Sequence, residues 1–250
     1  MPNKFVSSHR GMGDSKLASG EDKLTLEMLA WDLLVLLKHL GWKELAICGF
    51  SMGGVVAQQL LFLPYHPVNP TSLPFQLTHV LLTGTLCSKL TDKRYGLPMQ
   101  PVPKRPLTDQ EKIDLARPTV ELTFDPEWVS NPENTERLNW LLSRMISGRP
   151  AKVIHEPTGF HGSSRELPRS IQFLVIHGEL DAIVPFIADR KFCSRFLGPS
   201  RSKSALTRRS RTFALWPYWF EYFDVRVWHD VVEKFLGSAT CSFVNGLVRV

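Results

Sequence analysis

Among the 250 residues of this chain, one hydroxyl stands where chemistry is most readily imagined. Ser51 lies in Gly49-Phe50-Ser51-Met52-Gly53, between a short apolar stretch, Leu45-Ala46-Ile47-Cys48, and a helical pattern running from Gly54 to Leu63. A serine hydroxyl becomes a useful nucleophile when a base takes its proton and donors stabilise the oxyanion it creates. A strand, a sharp turn and a helix, in that order, hold such a serine in strained geometry with its hydroxyl proud of a sheet. Gly49 and Gly53 lack the Cβ atoms that would collide in that turn. The Met52 N–H, in the first turn of the helix, would face a developing oxyanion and add the helix dipole to it. A turn serine or an ordinary N-cap is the plainer alternative. Strand, helix and both glycines together favour the nucleophile.

The elements that must carry this turn are legible on either side of it. Leu24 to Leu40 reads as a helix, with Thr25 as N-cap, Lys38 and His39 in the last turn, and Gly41 as its left-handed stop. Leu45–Cys48, bounded by Glu44 and Gly49, suits a buried strand. A further apolar run, Val80-Leu81-Leu82-Thr83-Gly84, follows the helix, and strand–helix–strand alternation indicates parallel pairing. From about residue 89 to 168 the character changes. Ten of the 18 prolines fall between Pro98 and Pro168, and no strand pattern survives there. One helix stands out, capped by Asn131, with Pro132 in its first turn, a stripe of Leu138, Leu141, Leu142 and Met145, and Gly148 at its end. A proline-broken helical insertion between strands reads as a cap over an α/β core. Strand chemistry returns at Ile171–Ile176. A final helix over about Phe223–Leu236 carries Val225, Trp228, Val232 and Phe235 on one face and stops at Gly237. The predicted organisation is a core in two parts, 1–88 and 169–250, with a helical cap at 89–168.

Composition narrows the function classes. An apolar fraction of 43% and a charged fraction of 22% support one full-sized globular core and exclude a disordered or collagenous chain. The longest apolar run, Met28 to Leu37, is interrupted by Asp32 and is too short to span a bilayer. The first twenty residues have no apolar core of signal-peptide length, so the expectation is a cytoplasmic protein. Cys48, Cys87, Cys193 and Cys241 lie far apart, without metal-ligand spacing, and are expected to be reduced thiols. The net charge of +6 is local: Arg201, Lys203, Arg208, Arg209 and Arg211 supply five charges, leaving +1 elsewhere. No aromatic or groove-reading element accompanies that run, which disfavours nucleic acid as a partner.

Two further segments complete a set of motifs. His9-Arg10-Gly11-Met12-Gly13-Asp14-Ser15 precedes the first helix, and Gly178-Glu179-Leu180-Asp181, followed by Ile183-Val184-Pro185, comes after the Ile171–Ile176 strand. In this order the motifs resemble those of the α/β-hydrolase superfamily, in its esterase, lipase and haloperoxidase-like group, over nearly the whole chain. The first looks like the family's R-G-x-G-x-S turn after its fourth strand. Gly49–Gly53 looks like its nucleophile elbow after the fifth strand, and the Asp181 segment like its acid loop. The resemblance implies a mostly parallel sheet and hydrolysis of carboxylic esters or related acyl compounds through an acyl-enzyme at Ser51. Met52 would supply one oxyanion donor, and Asp181 would hold a histidine in the right tautomer. A serine at the elbow argues against the epoxide-hydrolase and dehalogenase branches, which need a carboxylate there. No metal or organic cofactor is implied, and the expected partner is a small ester-like substrate.

The base departs from the pattern. The family places a histidine after the last strand, where this chain has Leu215-Trp216-Pro217-Tyr218-Trp219-Phe220-Glu221. Tyrosine, with an ordinary pKa near ~10, does not readily take a proton from serine at neutral pH. His229 is expected to border the packed face of the final helix, His177 to be a half-buried neighbour of the acid loop, and His155 and His161 to lie in the cap. The basic tract at 199–212 stands where the family's last strand is approached, as if the sequence were locally replaced. The family also has three strands before the R-G-x-G-x-S turn, against room for one here, about Lys4 to Ser8. The third of them lies between the fourth and fifth and leads to a loop that completes the oxyanion hole. Its absence would open two strand edges, to be paired directly or by a partner's strand. The expectation is therefore hydrolase chemistry at Ser51 that this chain performs poorly or not at all. The alternative is a non-catalytic α/β-hydrolase-like interaction protein or a truncated gene product.

Overall fold

The first helix and the strand after it set the frame for Ser51. The computed structural model describes residues 3–6, 9–10, 15, 24–86, 90, 92, 94–96, 101, 103–146, 166–178, 181–185, 225–237 and 246–249. Helix α1 spans Leu26–Leu40; Thr25 Oγ1 accepts the Met28 N–H at 3.1 Å, and Gly41 closes the helix at φ 68° with its N–H on the Lys38 carbonyl. Both caps are the predicted ones. Strand β1 (Asn3–Val6) precedes α1, and β2 (Glu44–Phe50) follows it, longer than its apolar kernel. Helix α2 (Met52–Phe62) begins two residues earlier than its apolar spacing suggests and runs into a 3-10 turn at Leu63–Tyr65.

Strand β3 (Gln76–Thr83) starts four residues before the predicted run, because Gln76, Thr78 and His79 interrupt the apolar pattern while the strand continues through a register shift at Thr78. Strand β4 (Gln172–Ile176) follows the insertion, helix α6 spans Val225–Gly237, and β5 spans Gly246–Arg249. Among the described residues the strands form one sheet, in the order β1-β5-β2-β3-β4, with every pair parallel. The period of two sorts side chains onto two faces. Leu45, Ile47, Val80, Leu82 and Phe173 pack with Leu33, Leu37, Val56 and Leu60 of α1 and α2. Cys48, Leu81, Leu174 and Ile176 pack with Trp228, Val231, Val232 and Phe235 of α6. Helices thus cover both faces, which is why these strands read as nearly continuous apolar runs.

The position between β1 and β2 is a correction to the sequence reading. The two strands neither pair with each other nor wait for a partner's strand: β5 lies between them, matching Asn3–Val6 on one side and Ala46–Cys48 on the other. The chain fills this place from residues about 200 positions away from β2.

Between β3 and β4 the described residues hold three α-helices with an apolar cluster of their own, Val120, Phe124, Leu138 and Leu142. Helix α3 (Asp109–Glu121) opens on a capping box, Thr108 Oγ1 taking the Glu111 N–H and Glu111 Oε2 the Thr108 N–H. Helix α4 is Pro126–Ser130 and α5 is Thr135–Ile146. The predicted cap Asn131 opens a short 3-10 turn, Pro132–Asn134, from which α5 continues. Of the four cysteines, Cys48 is not in a disulfide, and the other three lie outside the described residues. Among the described residues no helix is long and apolar enough to cross a membrane.

Candidate active site

Strand β2 delivers the chain to Ser51 in the middle of the sheet, and α2 leaves from Met52. Ser51 adopts φ 51° and ψ −120°, and among the described residues it is the only non-glycine with positive φ. Holding a side-chain-bearing residue there costs about 1–3 kcal/mol, so its surroundings must impose the conformation. They do so through the backbone. The Ser51 N–H donates to the Thr83 carbonyl at 3.0 Å, extending the β2–β3 ladder by one bond. The Ser51 carbonyl accepts the Gly54 N–H at 3.1 Å and the Thr85 hydroxyl at 2.6 Å. The residue itself is exposed, and its side chain caps nothing on α2. Its hydroxyl is therefore presented at the carboxyl end of a parallel sheet, the end at which α/β folds bind ligands.

Two close approaches make the turn possible. A Cβ on Gly49 would sit 2.6 Å from the Gly54 Cα and 2.7 Å from the Gly53 carbonyl oxygen. A Cβ on Gly54 would meet Thr85 Oγ1 at 2.5 Å and its Cβ at 2.6 Å. The sequence reading identified Gly49 but missed Gly54. The contact partner of Gly54 lies beyond β3, out of reach of any local pattern. Met52 is the first residue of α2, so its N–H has no intrahelical acceptor and lies at the positive end of the helix dipole.

Asp181 is buried, in the loop after β4. Its Oδ1 accepts the N–H groups of Ile183 at 2.9 Å and Val184 at 2.7 Å, which folds the loop around it. Its Oδ2 lies 3.5 Å from His177 Nε2 and 3.9 Å from where a Cβ on Gly84 would stand. Gly84 directly follows Thr83, the residue whose carbonyl receives the Ser51 N–H. Ser51 and Asp181 are thus gathered at one end of the sheet, on either side of the end of β3.

His177 is fully buried, deeper than expected, and its Nε2 donates to the Val184 carbonyl at 2.7 Å. His229 corrects the sequence reading more sharply. It is exposed on α6, 3.4 Å from Glu233, and lies off the packed face carried by Trp228, Val231, Val232 and Phe235. His79 is buried in β3, with Nδ1 3.0 Å from Thr78 Oγ1 and its ring edge-on to Phe235, and burial lowers its pKa. Among the described residues no histidine hydrogen-bonds the Ser51 hydroxyl. Trp216, Pro217, Tyr218, His155, His161, the basic tract at 199–212 and residues 11–14 of the first motif lie outside the described residues. Arg10 of that motif is described, and its guanidinium pairs with Asp32 of α1.

Among the described residues no group of three His, Cys, Asp or Glu could hold a metal ion. An open apolar groove of about 410 Å³, lined by Leu61, Tyr65, Phe75, Leu77 and Ile171, lies at the start of β3 and β4, away from Ser51.

A family model described as "alpha/beta hydrolase fold" matches residues 5–69, which include α1, β2 and α2. An esterase from Exiguobacterium antarcticum superposes with a TM-score of 0.59 at 17% identity, covering 91% of this chain and 79% of its own. This is an α/β-hydrolase fold. A meta-cleavage product hydrolase from Pseudomonas fluorescens gives a TM-score of 0.60 at 13% identity, over 93% of this chain and 78% of that one. A hydrolase from Pseudomonas aeruginosa gives 0.54 at 19% identity, over 92% and 77%. No curated protein matches significantly. The α/β-hydrolase fold accounts for a parallel sheet clothed on both faces. Its solved neighbours are esterases and hydrolases.

Proposed function

We propose that this chain is a serine-hydrolase-type α/β hydrolase acting on small ester-like substrates at Ser51. The observation that carries the reading is the strained turn itself: φ 51° and ψ −120° at an exposed serine, at the carboxyl end of the sheet. The Ser51 Oγ attacks the carbonyl carbon of the ester, the carbonyl oxygen becomes an oxyanion, and the Met52 N–H donates to it. Collapse breaks the ester C–O bond, the serine proton leaving on the expelled alcohol, and the acyl-serine that remains is hydrolysed by water to the acid and free Ser51. Asp181 is the acid of this arrangement: its Oδ1 takes the N–H groups of the loop, which holds the carboxylate at the end of the sheet where a base is to be oriented.

The base governs the rate. Trp216, Pro217 and Tyr218 stand where the family has its histidine, and among the described residues no histidine hydrogen-bonds the Ser51 hydroxyl. Turnover is accordingly weak, the residual catalysis coming from binding and the oxyanion donor. The same observation supports a second reading, a non-catalytic relative that acts as a binding or interaction protein. Labelling with a fluorophosphonate probe, followed by mass spectrometry, separates the two. We expect slow labelling confined to Ser51, lost in Ser51→Ala, and negligible turnover of a short-chain aryl ester. Labelling that survives Ser51→Ala removes Ser51 from the mechanism. Rapid labelling and turnover remove the weak-activity half of the reading.

A further inference from the structure

The last residue of β3 and the three that follow it do more than connect the strand to the insertion. Thr83 receives the Ser51 N–H through its carbonyl at 3.0 Å. Gly84, at φ 49°, turns the chain and ties its own N–H to the Ile176 carbonyl of β4 at 3.0 Å. Thr85 is buried, 3% exposed, and returns its hydroxyl to the Ser51 carbonyl at 2.6 Å while packing on Gly54. The Leu86 carbonyl accepts Gln58 Nε2 at 2.9 Å, and the same amide nitrogen donates to the Gly54 carbonyl at 3.0 Å. Residues 83–86 therefore strap both the strained residue and the first turns of α2 to the sheet.

The Thr85 bond has a particular consequence. The Ser51 carbonyl and the Met52 N–H belong to one planar trans peptide unit, so they point in opposite directions. Fixing the oxygen of that unit fixes the direction of its hydrogen. The Gly54 N–H also binds this oxygen, but from within the helix, and it moves with α2. The Thr85 hydroxyl binds it from the sheet. We propose that Thr85 is a positioning residue, whose hydroxyl holds the Ser51–Met52 peptide plane and so aims the Met52 N–H at the site of the developing oxyanion. The role rests on the Ser51 and Met52 reading above. It adds a residue that touches neither substrate nor Ser51 Oγ.

Two variants separate the hydroxyl from the shape of the side chain. Thr85→Val keeps the volume beside Gly54 and removes the donor, whereas Thr85→Ser keeps the donor. We expect the second-order rate of fluorophosphonate labelling at Ser51 to fall by about 10–100-fold in Thr85→Val, because a misaimed donor loses much of what an absent one would. Thr85→Ser should retain most of the rate. Equal rates in all three proteins, or equal losses in both variants, overturn the proposal.

A second measurement does not depend on reactivity. Ser51→Gly removes the strain, since glycine accepts positive φ. Thr85→Val should then lower Tm by about 2–4 °C more in the Ser51→Gly background than in the parent, where lost hydrogen bonding is partly offset by relaxation of Ser51. Additive effects, or a smaller loss in that background, overturn the clamp. If the parent is not labelled at Ser51 at all, the nucleophile reading fails, and this cycle alone decides whether Thr85 holds the plane.

Discussion

At Gly49 and Gly54 the absent methyl group matters more than the backbone's freedom, because each faces atoms that cannot move aside. The Gly49 Cβ would press on backbone atoms of Gly53 and Gly54, and the Gly54 Cβ on the stem of the Thr85 side chain. Gly49→Ala and Gly54→Ala should each destabilise the fold by about 1–3 kcal/mol through overpacking. Gly237→Ala is the internal control. Nothing lies within 4 Å of a Cβ there, so urea unfolding should find that variant unchanged or slightly more stable. Equal effects at all three positions would mean that the turn is looser than its geometry. At this scale the sequence was informative where chemistry is local. Gly49, Ser51 and Met52 are legible from one pentapeptide. Thr85 and Gly54 are not, because they meet only after β2 and β3 pair. The base is a different case: its expected place at Trp216–Tyr218 lies outside the described residues, so only the sequence speaks there.

Elements show the same division between local and distant causes. Helix α1 was legible to the cap, since Thr25 and Gly41 act on their immediate neighbours. Helix α3 was missed: Pro118 lies inside it, and Val120 is its single fully buried residue, so no apolar stripe announces it. The start of β3 was missed because His79 and Thr78 are polar, yet both are buried, His79 matched with Ala46 and Thr78 standing at a register shift with its hydroxyl on the Leu45 carbonyl. Burying His79 has a measurable consequence for the β3–α6 contact. Its pKa in the folded protein lies below the ordinary value of 6.5, because desolvation penalises the imidazolium. The unfolded chain therefore takes up this proton first as pH falls. The stability associated with neutral His79 is complete above pH 6.5 and is lost as pH drops from there toward the folded pKa. Thermal unfolding from pH 8 down to pH 5 should show Tm falling below pH 6.5, with a shallower fall in His79→Phe. An unchanged slope in that variant would assign the dependence to other groups.

Across the whole molecule the decisive feature is the position of β5. A four-residue strand carries too short a pattern to mark itself, and its partners on β1 and β2 are supplied by the distant amino-terminal quarter of the chain. Once in place it is a central strand, with neighbours on both sides, and it stands directly beside the strand that delivers Ser51. Without it, β1 and β2 would each present an open edge, the condition that invites pairing between chains. Val248 is the test position, since it is matched with Phe5 on one side and Ile47 on the other. Proline there removes a ladder N–H from the interior of a sheet, whereas sheets hold proline essentially only on edge strands or at bulges. Val248→Thr keeps the N–H and the β-branched shape, so it should cost less than the proline variant. We expect Val248→Pro to lower the urea midpoint, to speed amide exchange across Glu44–Phe50, and to shift the protein toward larger species on size exclusion. If Val248→Pro and Val248→Thr unfold at the same midpoint and exchange alike over Glu44–Phe50, β5 does not hold the centre of the sheet, and the support of the Ser51 turn must come from β3 alone.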